Sequence, residues 1–256
     1  MLNFFKILII VVTVAHSNFA FGQGFDWQWS ARLPFETSRM YLGIGTQYEF
    51  QFASGEISFL EDKISCQNFD GGKGKNYVFG LNFEYWEELN RFAYRSSIRC
   101  GISTFASQSI DYVPHSPNII AEYENKLTLD FLKIDFKIGG KYRIANTHLN
   151  VGADLMLSFI INHTFKATEE ILGPPEMPPF STNPPSYIRD ILRGATNSFN
   201  RIQFYPALSI GYDLQLGLGT YAEPNFSLLI SPQSMFSNDN VTNYLISFGI
   251  NFYRKI

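Results

Sequence analysis

Histidine and cysteine are scarce in this chain, with four His and two Cys in 256 residues. His16, His115, His148 and His163 stand apart, none at metal-ligand spacing from another His or from Cys66 or Cys100. Zinc sites need that spacing, so no metal is expected. The pair His115-Ser116, followed by Pro117, is the nearest approach to a lipid-modifying hydrolase. A His without an oriented acid is a weak catalytic signal, so no catalytic residue and no cofactor are expected, and the chain reads as non-enzymatic. Charge of one sign is also missing. Twenty Lys and Arg against 23 Asp and Glu leave a net −3, which gives nucleic acid no handle.

Long apolar runs are missing too. Leu8 to Val14 is short, and the run around Leu155 to Ile161 is broken by Ser158. A helix needs about 20 apolar residues to cross a bilayer. Only helices and closed barrels satisfy backbone polar groups in lipid. The chain is therefore either a soluble exported protein or a membrane barrel.

Aromatic residues are plentiful at 16 %, with 25 Phe and 14 Tyr, as aromatic girdles require. The start has the form of a secretory signal: Lys6, the apolar Leu8 to Val14, then Ala20-Phe21-Gly22 before Gln23. The expected division is a signal peptide over 1–22, a periplasmic lead-in over 23–38 and a barrel over 39–256. Phe25 to Leu33 alternates as well, and either extends the first strand or packs on the rim.

Alternation of apolar and polar residues recurs through the rest. Leu132, Ile134, Phe136, Ile138 and Tyr142 face one way, and Lys133, Asp135, Lys137, Lys141 and Arg143 the other. Similar runs cover Leu42 to Phe52, Tyr77 to Tyr85, Phe92 to Ser103, Leu149 to Phe159, Ile202 to Gln215, Ala222 to Ser231 and Tyr244 to Tyr253. A period of two means strands with one wet and one apolar face. In the fourth run Leu127 and Leu129 are odd and Ile134 even, so a β-bulge is expected at Phe131-Leu132.

Short connections near Glu87 to Arg91, Ala145 to Thr147 and Gly217 to Gly219 alternate with long ones. The long ones are Ala53 to Lys75, Ala106 to Lys126, Ile160 to Asn200 and Pro232 to Asn243. Tight periplasmic turns and long outer loops are the outer-membrane pattern. The fold class is therefore all-β: one antiparallel up-and-down transmembrane barrel of eight strands. A soluble sandwich gives no reason for that alternation.

Several stretches carry a family resemblance: Leu132 to Lys137 followed by Gly140-Lys141-Tyr142, Val151-Gly152-Ala153, Gly211-Tyr212 and the closing Ser247 to Phe252. Cys66, Phe69, Gly72, Gly74 and Gly80 look like a first-loop signature. On these residues the chain resembles the outer membrane protein β-barrel domain family of small exported Gram-negative barrels. The resemblance implies a fold and the outer membrane as compartment, and carries over no catalytic residues. One departure is the ending, where Arg254, Lys255 and Ile256 follow the aromatic pair Phe252-Tyr253.

Twelve charges fall on the wet faces: Arg95, Arg99, Lys133, Lys137, Lys141 and Arg143 against Glu49, Glu84, Asp135, Asp154, Asp213 and Glu223. Inside a narrow barrel such charges must be paired or hydrated, and an eight-stranded bore is just wide enough for side chains to fill. A balanced set favours a closed core over an ion-selective pore. Cys66 and Cys100 form a disulfide or remain free thiols; both readings stand. The loop holding Gly173-Pro174-Pro175, Pro178-Pro179 and Pro184-Pro185 is stiff. A short helix from Ser186 to Leu192 is expected within it. That loop either covers the barrel mouth, the favoured reading, or binds an extracellular partner. The remaining expected partners are membrane lipid and lipopolysaccharide and the outer-membrane assembly machinery, with no nucleic acid. The role expected is structural or surface interaction. A small channel or transporter is the alternative, and a lipid-modifying enzyme comes third.

Overall fold

The computed structural model describes residues 40–57, 69–87, 91–116, 119–144, 147–175, 177–182, 184–194, 199–217, 219–236 and 241–256. The expected signal peptide, the stretch Phe25 to Leu33 and Cys66 lie outside them. Ten strands follow in chain order: β1 (Met40–Ile57), β2 (Phe69–Trp86), β3 (Phe92–Ser116), β4 (Ile119–Arg143), β5 (Leu149–Gly173), β6 (Ile188–Gly194), β7 (Ile202–Tyr212), β8 (Leu214–Gly217), β9 (Thr220–Ser231) and β10 (Thr242–Lys255). β7 and β8 are one stave interrupted at Asp213, whose amide still donates to the His148 carbonyl at 2.9 Å. The order β10-β1-β2-β3-β4-β5-β7-β9 closes through β9–β10, every pair antiparallel. The ring therefore has eight staves, and closure removes the exposed edges that an open sheet would leave.

The staves differ in length. β3, β4 and β5 have 25 residues each, whereas β7 has 11, β9 has 12 and β10 has 14. At about 3.3 Å per residue, one side of the barrel stands far above the other. The expected long connection from Ala106 to Lys126 is thus mostly strand: the β3–β4 ladder continues from Ala106↔Thr128 to Pro114↔Ile120. The connection from Ile160 to Asn200 also shrinks, because β5 runs on to Gly173 and β6 pairs with it. The helix expected from Ser186 to Leu192 is replaced by β6. Pairing with the projecting β5 supplies its backbone with partners that a short isolated helix would lack. A register shift opposite Ala167/Thr168 leaves Ile191 unpaired, and Ile191 and Leu192 both pack on the core. That bulge is why the two adjacent apolar residues mimicked a helical face.

On the outer surface an apolar belt circles the ring. On β4 it runs from Leu132 to Tyr142 and on β10 from Tyr244 to Phe252, about ten residues per stave, the length a tilted strand needs to cross lipid. Ile102 and Leu208 are about two-thirds exposed, whereas Glu49, Glu84, Asp135 and Glu223 are wholly buried inside.

The bulge expected in β4 sits elsewhere. Every odd residue of β4 from Asn125 to Lys141 faces inward without a break. The extra residue lies on β5, where Leu132 faces Asn162 and Lys133 faces Ile160, so that Ile161 is left over. Leu127 and Leu129 are not out of phase. They face inward at a height where the inside of the barrel has become apolar.

Candidate functional site: the lumen and its plug

Each lumen side chain is placed by strand parity, and the twelve charges fall into three tiers. In the tier nearest the long loops, Lys133 Nζ lies 2.9 Å from Glu49 and 3.3 Å from Asp135. Arg99 completes this tier, 3.2 Å from Asp135 and 3.7 Å from Glu49. Asn76 donates to Glu49 at 2.9 Å, and Arg99 donates to Gln47. The middle tier is built on Asp154. Arg95 grips it with two hydrogen bonds of 2.6 Å, and Lys137 approaches at 3.0 Å. At the turn end Lys141 lies 2.8 Å from Glu84, 3.2 Å from Glu223 and 3.4 Å from Asp213, while Arg143 holds Asp213 at 2.6 Å.

These tiers carry charges of 0, +1 and −1, so the lumen as a whole is neutral. Burying so many charges is tolerable because each is paired with an opposite charge. Space for them comes from glycines on the lumen face. A side chain on Gly139 would strike Asp154, one on Gly152 would strike Arg95 and Ser209, and one on Gly80 would come 2.6 Å from Arg99 Cγ. The long charged chains occupy the volume those glycines leave.

Sequence reading missed the aromatic ring around Lys141. Its ammonium sits 5.0 Å from the Trp86 ring centre, 5.3 Å from Tyr221 and 5.5 Å from Tyr253, and Arg143 stacks over Trp86 at 4.2 Å. Strand parity carried the signal: Trp86, Tyr221 and Tyr253 share the parity of the wet face on their strands, and only their chemistry masked it.

Toward the long loops the lumen changes character. Phe105, Leu127, Leu129, Phe131, Ile160 and Phe165 point inward and meet Phe199, Met235, Phe236 and Val241 from the connections. Phe199 packs 5.6 Å from both Phe131 and Phe236. This apolar plug fills the barrel where its outer surface turns polar, at Thr104, Asp130 and Thr164.

The inversion decides the environment. A belt of exposed Leu, Ile and Phe about ten residues tall, wrapped around a buried lattice of ion pairs, is stable only with lipid outside. Above the belt the arrangement reverts to that of a water-soluble core. The chain is an outer-membrane β-barrel.

No family model and no curated protein matches this barrel in sequence. Among solved structures it is similar to Neisserial surface protein A, with 10 % identity over 84 % of this chain and 96 % of that one and a TM-score of 0.34. It is also similar to the attachment invasion locus protein of Yersinia pestis (13 %, 83 % and 97 %, TM-score 0.31). A third similar structure is the outer membrane protease OmpT of Escherichia coli (6 %, 85 % and 96 %, TM-score 0.35).

Cys100 is a free thiol on the outer face of the belt. His163 is buried beside Phe199, ring centres 5.3 Å apart, and His115 sits near the tip of β3, remote from the belt. Among the described residues no three His, Cys, Asp or Glu gather as a metal site, and no helix is long and apolar enough to cross a membrane. The Pro-rich connection folds against the tips of β4 and β5. Met177 is buried with Ala121 and Ile171, and Phe180 packs 6.4 Å from Tyr123.

Proposed function

We propose that this barrel is a closed scaffold that holds a projecting β-sheet at the cell surface, a structural or surface-interaction role. The observation that carries it is the lumen: three tiers of ion pairs and an apolar plug lie in series along one bore. An ion would have to break paired charges and then cross a dry Phe and Leu cluster, each step costing several kcal/mol. Because the three tiers sum to zero, the lumen as a whole favours no permeating sign. The outer-membrane pattern of short periplasmic turns and long outer loops puts the plug and the tall β3–β5 side outside the cell. The Pro-rich connection braces that sheet. Membrane lipid and lipopolysaccharide surround the belt, and the outer-membrane assembly machinery inserts the chain.

The test is conductance of the refolded protein in planar bilayers. Sparse, brief openings are expected. Steady ohmic conductance of the size of a large porin would replace this reading with a channel.

A further inference from the structure

Among the described residues, the strands close into a ring within the belt but leave an edge above it. β2 pairs with β3 only as far as Lys73↔Ala106. Above that point β2 turns with β1, through a register shift between Ala53 and Glu56 and through Gly71 at φ +68°. Ser107 still touches β2, its hydroxyl donating to the Gly71 carbonyl. From Gln108 to Ser116, β3 is paired with β4 on one side, and no strand lies on its other side among the described residues. Among the described residues, its backbone groups on that side form a ladder with no partner strand.

Two independent features mark that edge. A groove of about 710 Å3 opens at its foot, between Gly71 and Lys73 of β2 and Ala106 and Gln108 of β3, bounded by Phe52 and Lys126. It occupies the place where a strand lying beside β3 would end. Beside the edge, the outward face of the sheet exposes Ile110, Tyr112 and Ile120 well above the lipid belt, from 48 % to 67 % accessible. Exposed apolar groups outside the bilayer mark an interaction surface.

Charge selects the occupant. Glu124 and Glu170 share one cation, with Lys126 at 2.8 and 3.0 Å, which leaves one negative charge over. Glu122 lies on the same outward face as Glu124, whereas Asp111 of the edge strand turns to the inner face and accepts from Asn125 at 2.8 Å. On the outward face three carboxylates, Glu122, Glu124 and Glu170, thus stand against Lys126, with Lys73 at the foot of the groove as the next cation.

We propose that the free edge of β3, from Gln108 to Ser116, captures an extended, lysine- or arginine-bearing segment of a partner protein as an added strand. Main-chain hydrogen bonds complete the ladder, Ile110 and Tyr112 bury apolar side chains of the segment, and the carboxylates take its cations. This site rests on the surface-interaction reading but not on the closed lumen, so the conductance test and the test below fail separately.

The probe is a labelled ten-residue peptide alternating lysine and valine, titrated into the full-length barrel in lipid nanodiscs. A glutamate-for-lysine version is the control. The lysine peptide is expected to bind and to slow hydrogen exchange of the amides within Gln108 to Ser116. The glutamate peptide should not bind, E122Q/E124Q should weaken binding severalfold, and I110K/Y112K should abolish it while heat-modifiable migration persists. No slowing at Gln108 to Ser116 overturns the proposal. So does equal binding of both peptides. A barrel dimer that protects the same amides without peptide also overturns it, by making a second copy the occupant.

Discussion

At the scale of single residues, the lumen is a set of charges that tolerate no missing partner. Among the described residues Lys141 is the one cation within ion-pair distance of Glu84 and of Glu223, which also accept from the neutral donors Tyr221 and Asn251 respectively. Lys141→Met should cost about 3–5 kcal/mol, the usual penalty for stranding buried charge. Denaturant unfolding in lipid vesicles, read by Trp86 emission, measures it; an unchanged midpoint would mean that water enters and solvates the tier. The two faces of β4 make a sharper contrast. Phe136 is in the belt and Lys137 in the middle tier. Phe136→Arg should cost about 2–4 kcal/mol near the bilayer centre, and Lys137→Arg should leave the midpoint within error. Equal losses would contradict the assigned faces. Glycine behaves similarly by position. Gly80→Val would drive a branched side chain into the Ile98 carbonyl and Arg99, whereas Gly217→Ala meets nothing within 4 Å. The first should abolish the heat-modifiable folded band on gels, and the second should preserve it.

At the scale of elements, the extra residue on β5 shapes the loop end. By leaving Ile161 over, it turns the odd residues His163, Phe165 and Ala167 inward, where they join the plug. Phe236, fully buried there, comes from the connection between β9 and β10. Phe236→Ala should destabilise by about 3–5 kcal/mol yet leave the bore non-conducting, because the three ion-pair tiers remain. Conductance appearing in that variant alone would show that the plug, not the tiers, is the barrier. Connections should differ in what they tolerate. An epitope at Thr182, in the Pro-rich connection, should label on intact cells. One at Thr147, in the tight β4–β5 turn whose hydroxyl accepts from the Leu149 amide, should label only after permeabilisation, if assembly survives. Labelling of Thr147 on intact cells would invert the topology.

At the scale of the whole molecule, the barrel is a slanted cylinder. Its belt spans about ten residues per stave, matching an apolar band about 25 Å tall, and its β3–β5 side rises well beyond. Thickness matching should therefore govern insertion. Refolding into short-chain lecithin vesicles should give a higher yield of the heat-modifiable form than refolding into long-chain ones. Equal yields would mean that the apolar band is not what meets the lipid.

The sequence by itself determined the period-two faces, the eight staves and the inward parity of the twelve charges. Each depends only on a residue's odd or even place along its own strand. The reading of Lys133, Asp135 and Lys137 against Ile134, Phe136 and Ile138 needed nothing else. What alternation cannot say is which face is inside once the solvent changes. Leu127, Leu129 and Phe131 look like lipid-facing residues out of phase, and only the height at which the belt ends shows them to be a core. The same holds for Ile191 and Leu192, whose adjacency suggests a helix until β5 offers a ladder and a bulge. Pairings across the bore, such as Arg95 with Asp154 or Lys141 with Glu84, join residues 59 and 57 positions apart. They were decided by closure of the ring, because only closure fixes which inward side chains share one level.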